Sequence, residues 1–539
     1  MWLRSLWASD RAATAVSAFM LFYALYASLQ FALQHDVHRL LARIVDDASY
    51  YMTIARNIAS GGGVTFDGIH KTNGFHPLWL LMLVPLFLLQ KPPETMIRLV
   101  ALFQIVLLSL AYVLFVRTQL RLFPPRTAAL SAVLFVPLVF MPSVNGMETA
   151  VLVLALVLLY GYGAYISQLE CDWRRAALLG VIIGFVLLAR VDMIVLPLVL
   201  TGFGARYALA AEDRPKVVSA IVACGLSTFA VVAPYLILSY REFGTIMPIS
   251  ASLKSSFPHL ALSAETVPRI ASMGIVNFLF AVLALGRAFW SVAALRWDEH
   301  KVSRGFYETA TTVFAWTISL LFVLNVLFLK TGTFSWYYVP YRVFGLLLIT
   351  GVIDWLLRRT ALVERPFRYG MVATILCVGV VARDQAQDKF PRNGDWHTPV
   401  YNAAVWAREH TPSDAVFAMS DCGHFAFFSM RRVVNLDGVV NNMDFQRALA
   451  RGQLDRYLRQ NHVEFLVQHA VHNRADVIER RYGSLELPFP SWRFDGLGDR
   501  VWVTERSEVY RSAPFVDGAY PSVLVIWSLV DDTAAHARG

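Results

Sequence analysis

The sequence predicts a polytopic α-helical membrane protein, with about 11 transmembrane helices, followed by an α/β domain at its carboxyl end. Of its 539 residues, 56% are hydrophobic and 16% are charged, whereas soluble domains are about 25% charged. Many apolar runs are long enough to cross a bilayer. After residue 385 they give way to shorter patterns typical of strands and helices. Disordered, fibrous and wholly soluble chains are therefore excluded.

The predicted spans are apolar runs of about 20 residues, the length that crosses the hydrocarbon core. They lie near residues 12–34, 96–116, 127–142, 149–168, 176–190, 193–209, 217–239, 269–290, 309–329, 337–357 and 369–382. A further apolar run, 77–90, is only about 14 residues long and contains Pro85, which favours a re-entrant or interfacial segment over a span. This run belongs to a long first outer loop, 35–95.

The positive charge of the chain indicates its orientation. Lys and Arg number 48 against 39 Asp and Glu, a net charge of +9, and in membrane proteins such an excess collects in cytoplasmic loops. If 77–90 does not span, most of the basic loops lie on the side of the amino terminus. We therefore expect a cytoplasmic amino terminus and an extracytoplasmic carboxyl-terminal domain. The net positive charge is then explained by the orientation of the chain in the lipid bilayer, and nucleic acid is not expected as a partner.

The boundary between the two parts is expected at residue 384, which separates a membrane module (1–384) from a soluble domain (385–539). In the second part, strand-like and helix-like runs alternate over a length that suits one α/β domain. The strand-like runs are Ala415–Met419, Arg432–Leu436, Val463–Val467 and Arg500–Thr504, and the helix-like runs lie near 399–410 and 443–460. Four scattered cysteines at positions 171, 224, 377 and 422 indicate neither a disulfide framework nor a zinc site.

The first long loop contains an amphipathic helix. Its apolar face consists of Ala48, Tyr51, Met52, Ala55, Ile58 and Ala59, and its polar face of Ser49, Thr53, Arg56, Asn57 and Ser60. This pattern is typical of a helix that lies on a membrane surface. The glycine run Gly61–Gly63 is expected to end it.

Two carboxylates, Asp46 and Asp47, stand at the amino end of this helix. One interpretation is a helix cap, because Asp is a favoured capping residue and its charge complements the helix dipole. The other is catalysis, in which a carboxylate at the membrane face accepts a proton from a hydroxyl nucleophile. The two interpretations are compatible, since a cap holds the side chain rigidly.

Charged residues at other outer loops are expected near the same region. Glu148 begins a span, where a helix cap is the alternative. Arg190 and Asp192 stand between two spans, where a structural ion pair is the alternative. Lys254 and Arg342 flank further spans, where interfacial anchoring is the alternative. Together, outer carboxylates and outer cations favour a substrate that is a lipid phosphate, and the sequence has no Gly-rich nucleotide cradle, HExxH helix or GxSxG elbow.

Several segments together resemble one family. They are DDASYYMTIARNIASGGGVTFDG and TNGFHPLW in the first loop, then NGMET, FGTIMPIS and WYYVP. With them the chain resembles, over nearly its whole length, the bacterial GT-C-type glycosyltransferases, which are integral membrane enzymes that use polyprenyl-phosphate-linked sugars. The resemblance implies an inner-membrane enzyme that transfers a sugar from this donor to a hydroxyl of an envelope glycan, lipid or protein, with inversion.

The resemblance also assigns roles to residues. The acid of the first loop activates the acceptor hydroxyl, a role that falls to Asp46 with Asp47 beside it. The basic residue that contacts the lipid phosphate corresponds to Arg190, and a second phosphate contact is expected from Lys254 or Arg342. The other candidates for substrate binding are Glu148, Asp192, Tyr337, Tyr338, His76 and Asn73.

In the soluble domain, the segments SDCGHFAFFS and VVNLDGVVNN are open to two interpretations. They can bind the acceptor or close over the site, or they can be turns that pack the domain on the membrane module. The candidate residues in them are Asp421, His424 and Asp437.

A divalent cation (Mg, Mn or Ca) is a further expectation, with Asp47 and Glu148 as its ligands. Two other functions stay open beside sugar transfer. One is a transporter or flippase of a lipid-linked sugar, and the other is a non-catalytic scaffold for envelope assembly.

Overall fold

The computed structural model describes residues 2–262, 266–297, 305–331, 333–359, 396–471, 480–481, 484–491, 497–517 and 520–529. The helices of the membrane module are α1 (Trp2–Ala32), α2 (Val37–Leu41), α3 (Asp46–Ala59), α4 (Pro77–Phe87), α5 (Pro93–Leu122), α6 (Pro125–Phe135), α7 (Thr149–Ile166), α8 (Trp173–Ala189), α9 (Val195–Ala210), α10 (Arg214–Phe243), α11 (Ile249–Lys254), α12 (Thr266–Ala271), α13 (Ile275–Trp297), α14 (Phe306–Phe328) and α15 (Val339–Arg359). The predicted span 369–382 and the predicted domain boundary at residue 384 lie outside the described residues.

Among these described residues, nine segments are long and apolar enough to cross a membrane, and they lie in α1, α5, α6, α7, α9, α10, α13, α14 and α15. Each coincides with a predicted span. The predicted span 176–190 coincides with α8, a helix of 17 residues, after which Arg190 forms an ion pair with Glu148 at the start of α7. The short run 77–90 forms α4, which has 11 residues; at a rise of 1.5 Å per residue this is about 16 Å, too short for a span.

Helix α6 unwinds before it reaches the loop that joins it to α7. Residues 136–143 form a π-helical turn and then a 3-10 turn, because Pro137 and Pro142 have no N–H to continue the α-helical hydrogen bonds. Gly146 follows with a φ of +85°, and a Cβ at this position would lie 2.5 Å from a side chain of α3. The glycine therefore lets the loop approach α3 closely and places Glu148 beside it.

The soluble domain contains four helices and two sheets within the described ranges. The helices are α16 (His397–His410), α17 (Gly423–Ser429), α18 (Met443–Ala450) and α19 (Leu454–Gln460), and the strands are β1 (Val416–Met419), β2 (Arg432–Asn435), β3 (Phe465–Val471), β4 (Arg480–Arg481), β5 (Ser484–Pro490), β6 (Gly498–Thr504), β7 (Glu508–Arg511), β8 (Phe515–Asp517) and β9 (Tyr520–Ser528). The main sheet has the order β2-β1-β3-β9-β7, with β8 paired to β9. Its strands β2, β1 and β3 are parallel, and β9 is antiparallel to its neighbours. Strands β4, β5 and β6 form a separate antiparallel sheet.

The α/β pattern predicted for the soluble domain is confirmed. The four predicted strands correspond to β1, β2, β3 and β6. The helix-like run 443–460 is two helices, because the chain turns at Gly452, whose φ of +66° suits glycine. The strands that were not predicted, β4, β5, β7, β8 and β9, are all antiparallel to their partners.

The amphipathic helix α3 lies between the membrane module and the soluble domain. Its residues 48–55 are buried, and one hydrophobic core contains residues of both parts. The polar face is covered by α17: Ser49 Oγ lies 2.8 Å from His424 Nδ1, and Arg56 donates to the Phe427 carbonyl at 2.9 Å. The predicted helix is therefore present, and much of its polar face packs against the soluble domain; its place at a membrane surface stays a prediction.

Helices α8 and α10 cross at two glycines. A Cβ at Gly180 would overlap the carbonyl oxygen of Cys224, and one at Gly184 would lie 2.7 Å from the Cβ of Val231. The Thr228 hydroxyl donates to the Gly180 carbonyl at 3.0 Å across the same crossing. Small residues four positions apart let membrane helices approach closely, so these two glycines determine how near α8 comes to α10.

We expect Gly180→Ala to lower the unfolding midpoint of the purified protein in detergent, because overpacking costs about 1–3 kcal/mol. Gly202→Ala in α9 is the matched control. Among the described residues, a Cβ at Gly202 has no neighbour within 4 Å, so the higher helix propensity of Ala should leave the midpoint unchanged or raise it. Equal shifts in the two variants would show that α8 and α10 do not meet in this way.

Candidate active site

Loops from several helices meet where α3 begins, and their side chains form one polar cluster. The members of the polar cluster are Asp47, Tyr51, His76, Glu148, Arg190, Asp192, Lys254 and Tyr337. All but one of them, Tyr51, are residues that the sequence predicts for the site. The structure therefore brings together residues that the sequence predicts to lie close to one another.

Asp46 is buried and contacts the soluble domain. It is the first residue of α3, whose N-cap residue is Val45. Its Oδ2 accepts from the Gly423 N–H at 2.8 Å and its Oδ1 from the His424 N–H at 2.6 Å, both at the start of α17. Burial raises the pKa of Asp46, and these two N–H groups oppose the shift. The predicted cap of α3 by Asp46 is therefore wrong, because Asp46 instead caps the first turn of α17 in the soluble domain.

Asp47 follows Asp46 and has a different environment. Its carboxylate lies 4.0 Å from Lys254 Nζ, and 26% of its side chain is accessible. Burial raises the pKa of Asp47, and the Lys254 charge lowers it. The nearby carboxylates Asp437 and Glu148 raise it further. Of the two adjacent acids, Asp47 is the one that is open to a substrate.

Lys254 ends α11 and packs against aromatic rings. Its Nζ donates to the Tyr337 hydroxyl at 3.1 Å and lies 5.4 Å from the ring centroid of Phe334. Burial alone would lower the pKa of Lys254, but Tyr337 and Asp47 raise it. The ammonium therefore stays charged, with a carboxylate, a hydroxyl and aromatic faces as its partners.

Arg190 is buried and paired with two carboxylates. Its Nε donates to Asp192 at 2.9 Å, and one of its terminal nitrogens donates to Glu148 Oε1 at 3.1 Å. The same terminal nitrogen donates to the Trp336 carbonyl at 3.2 Å, and the guanidinium lies 4.9 Å from the Tyr337 ring centroid. The structural pair of Arg190 and Asp192 is thus present, and Glu148 extends it. Because the Asp192 side chain is 46% accessible, it is the partner that an anion from outside can replace.

Tyr51 and His76 connect this network to α3. The Tyr51 hydroxyl donates to Glu148 Oε2 at 3.3 Å and accepts from the His76 N–H at 3.2 Å. His76 Nε2 lies 3.8 Å from Glu148 Oε1, and burial lowers the pKa of His76. Glu148 occupies the N-cap position of α7, but its carboxylate serves this network and makes no capping hydrogen bond within the described part of α7.

The soluble domain places a further carboxylate near the polar cluster. Asp437 follows β2, and its Oδ2 accepts from the Tyr50 hydroxyl at 3.2 Å and from the Asp421 N–H at 3.1 Å. Tyr50 and Tyr51 were not predicted as site residues. The signal in the sequence is their spacing: they follow the two aspartates by four positions, one helical turn, and so lie on the same face.

Two predicted residues make structural contacts outside the polar cluster. Asn73 accepts from the Ile249 N–H at 3.0 Å and donates to Ser239 Oγ at 3.1 Å, which ties the first loop to the corner between α10 and α11. His424 contacts Ser49 within the interface of α3 with α17. Their observed contacts are structural, and a role in substrate binding stays a prediction.

Tyr338 and Arg342 also point away from the polar cluster. The Tyr338 hydroxyl bonds to Thr333, and its ring lines an apolar cavity beside α14. Arg342 donates to Asn277 Oδ1 on α13 at 3.2 Å. A phosphate contact by Arg342 stays a prediction, whereas Lys254 lies in the polar cluster itself.

The polar cluster does not suit the predicted divalent cation. The expected ligands, Asp47 and Glu148, already face Lys254 at 4.0 Å and Arg190 at 3.1 Å. Within the described residues no group of three or more His, Cys, Asp and Glu side chains is placed to hold a metal ion. Divalent cations take several oxygen ligands, and at this site one would have to displace two paired cations.

Comparisons of the sequence with known proteins reach only the soluble domain. Residues 386–515 match a family described as a domain of unknown function (DUF8728), which is less than half of the chain. No curated protein matches the sequence significantly.

Solved structures share the architecture of the chain. ArnT from Cupriavidus metallidurans bound to undecaprenyl phosphate has a TM-score of 0.54 over 96% of this chain and 97% of its own, at 11% identity. Archaeoglobus fulgidus AglB is an oligosaccharyltransferase in complex with an inhibitory peptide and a dolichol-phosphate. It has a TM-score of 0.50 over 87% of this chain and 70% of its own, at 15% identity. The A. fulgidus oligosaccharyltransferase in complex with Zn and sulfate has a TM-score of 0.50 over 84% of this chain and 67% of its own, at 15% identity. At these identities the likeness shows the fold alone, and it confirms the predicted fold, a GT-C-like helical module with an α/β domain.

We expect Asp46→Asn to loosen the contact of the soluble domain with α3. An amide offers one acceptor oxygen where two N–H groups need one each, and an unsatisfied buried donor costs about 1–3 kcal/mol. Hydrogen exchange of the amides at 423–429, followed by mass spectrometry, should therefore become faster. Asp47→Asn is the matched control, since its neighbour is a lysine side chain. Equal protection of 423–429 in the wild type and in Asp46→Asn would contradict the docking role of Asp46.

Proposed function

We propose that this protein is a membrane glycosyltransferase that moves a sugar from a polyprenyl-phosphate donor to a hydroxyl of a glycan, lipid or protein. The observation that carries the proposal is the pair formed by Asp47, an accessible carboxylate, and Lys254, a charged ammonium 4.0 Å away. The first can accept the proton of a hydroxyl, and the second can hold a phosphate. ArnT and AglB, which share the fold, were solved with undecaprenyl phosphate and dolichol-phosphate, and this supports a donor of the same class.

The proposed reaction is a single inverting displacement. The acceptor hydroxyl gives its proton to the Asp47 carboxylate while its oxygen attacks the anomeric carbon of the sugar. The bond between that carbon and the phosphate oxygen breaks, and its electron pair leaves with the polyprenyl phosphate. A phosphate leaving group needs little protonation, so the second carboxyl group of a glycosidase is not required.

Asp47, and not Asp46, is the base in this proposal, although the family resemblance assigns the role to Asp46. Both oxygens of Asp46 accept backbone N–H groups, from Gly423 and His424. An acceptor hydroxyl would have to displace one of them. Asp46 is therefore a positioning residue that fixes the first turn of α3, and Asp47 is presented by that turn.

Lys254 connects donor binding to the strength of the base. Its charge lowers the pKa of Asp47, and a phosphate bound to the ammonium would share this charge and weaken its effect. Asp47 then becomes more basic when the donor is in place. Arg190 contributes less to phosphate binding, because a phosphate reaches it only by displacing Asp192.

We place this reaction at the extracytoplasmic face of a bacterial inner membrane. The soluble domain contacts α3, which lies in the loop between α1 and α5, so the domain and this loop are on the same side of the helices. The distribution of Lys and Arg favours a cytoplasmic amino terminus, which puts the loop after α1 outside. The choice among glycan, lipid and protein acceptors is open.

We expect Asp47→Asn to remove transfer activity while the protein stays folded. With purified protein in detergent and a polyprenyl-phosphate sugar, release of polyprenyl phosphate should fall about 10²–10⁴-fold, the size of a general-base contribution. Asp444→Asn, which changes an exposed acid of α18, is the control and should leave release unchanged. A flippase would leave the bond between sugar and phosphate intact, and full activity of Asp47→Asn would contradict the base assignment.

The pH dependence of the reaction tests the same carboxylate. A base acts when ionised, and the pKa of Asp47 is raised above the ordinary value of about 4. As the pH decreases, kcat/KM should therefore fall in a limb that lies above about pH 4. Lys254→Met removes the charge that lowers this pKa, so the limb should move to higher pH. Lys71→Met, which changes an exposed lysine paired with Glu242, should not move it, and an unmoved limb in Lys254→Met would contradict the coupling.

A further inference from the structure

The soluble domain turns the carboxyl ends of its parallel strands toward the membrane module. After β1, the N–H of Gly423 donates to Asp46 of α3. After β2, which pairs with β1 in parallel, Asp437 accepts from Tyr50 of α3. In open α/β sheets, ligands bind in the crevice outside the carboxyl ends of the strands. The edge of this sheet that suits a ligand is therefore the edge that faces the polar cluster.

Asp437 is a carboxylate of this edge with room for one more hydrogen bond. Its Oδ1 accepts from the Val439 N–H at 2.9 Å, a bond within its own turn. Its Oδ2 accepts from the Asp421 N–H at 3.1 Å and from the Tyr50 hydroxyl at 3.2 Å. An ionised carboxylate has about four acceptor positions, so these three bonds orient Asp437 without saturating it, and the residue remains 8% exposed.

Asp437 lies against the helical turn that follows Asp47, because it accepts from the Tyr50 hydroxyl at 3.2 Å. Its negative charge raises the pKa of Asp47 and that of Lys254. The lysine thus has two carboxylates near it, one from α3 and one from the soluble domain. These carboxylates repel a phosphate, but they accept hydrogen bonds from hydroxyl groups more strongly than neutral acceptors do.

The geometry of a lipid-phosphate sugar places its ring beside these acids. In such a donor a single oxygen joins the sugar to the phosphate. A phosphate held by Lys254 therefore places the sugar next to the residues around this lysine. Asp47 is assigned to the acceptor hydroxyl, which leaves Asp437 as the carboxylate for the sugar itself.

We propose that Asp437 binds a hydroxyl of the donor sugar, so that the soluble domain supplies a sugar-binding residue to the site. The proposal rests on the function proposed above, since it takes Lys254 as the place of the donor phosphate. Tyr50 acts through Asp437 as its positioning residue. The soluble domain then takes part in the choice of sugar in addition to docking on the membrane module.

Ligand binding without turnover tests this proposal. The unfolding midpoint of the full-length protein in detergent is measured with undecaprenyl phosphate, and with the same lipid phosphate carrying glucose, galactose, mannose or arabinose. A ligand raises the midpoint according to its affinity, so the extra shift from a sugar-bearing lipid reports sugar binding. We expect an extra shift from at least one sugar in the wild type. In Asp437→Asn the affinity for that lipid should fall about 10-fold to 100-fold, the loss of a hydrogen bond to a charged group, while the shift from undecaprenyl phosphate stays.

Two further variants separate sugar binding from folding. Tyr50→Phe removes the hydroxyl that orients Asp437 and keeps the carboxylate, so it should lose part of the extra shift; it carries the test alone if Asp437→Asn does not fold. Asp444→Asn changes an exposed acid of the same domain and should behave like the wild type. If Asp437→Asn also loses the shift from undecaprenyl phosphate, the variant disturbs the whole site and the proposal is overturned.

The remaining outcomes separate this inference from the proposed function. If the wild type binds undecaprenyl phosphate but gains nothing from any sugar, or if Asp437→Asn keeps the extra shift, the sugar-binding role is overturned and the release assay with Asp47→Asn still tests the function. If undecaprenyl phosphate does not stabilise the wild type, the phosphate site at Lys254 is wrong. Both proposals then fail together.

Discussion

The burial of one carboxylate, that of Asp46, is the interaction on which the arrangement of the site depends. Removing an ionised carboxylate from water is unfavourable by several kcal/mol, and the N–H groups of Gly423 and His424 offset this. Gly423 lies 377 positions further along the chain. Because Asp46 begins α3 and the two donors begin α17, these hydrogen bonds fix the start of one helix on the start of the other. The soluble domain is thereby tied to the loop that carries the site.

The position of Asp47 follows from that constraint. Successive residues of a helix are turned by about 100° around its axis, so Asp47 cannot share the buried position of its neighbour, and it faces Lys254 instead. One turn further, the hydroxyl of Tyr50 reaches the soluble domain and that of Tyr51 reaches the membrane module. The first two turns of α3 thus supply a carboxylate that docks the soluble domain and a carboxylate that is accessible. They also supply two hydroxyls, one bonded to Asp437 of the soluble domain and one to Glu148 of the membrane module.

The sequence predicts what is local and leaves open what is distant. The length of each apolar run predicts whether it spans the membrane. The run 77–90 is too short for a span, and in the structure it forms a helix of only 11 residues. The amphipathic pattern of α3 predicts a helix, but the pattern is identical whether its polar face meets water or a protein domain. Asp46 has the character of a capping residue, and sequence alone could not place the helix it caps. The bond between Tyr50 and Asp437 joins positions 387 apart, a separation over which periodicity carries no information.

The site has more carboxylates than cations, and this excess affects both the pKa of Asp47 and the place where a phosphate can bind. The polar cluster and its neighbour Asp437 hold more carboxylates than cations, and burial together with these like charges raises the pKa of Asp47. Such a surrounding repels a phosphate except beside a cation, and Arg190 already has two carboxylate partners. Among the described residues, Lys254 has one carboxylate within ion-pair distance, that of Asp47 at 4.0 Å, so an incoming phosphate meets less competition there than at Arg190. Because the same lysine lowers the pKa of Asp47, a donor whose phosphate occupies it leaves a stronger base beside its own anomeric carbon.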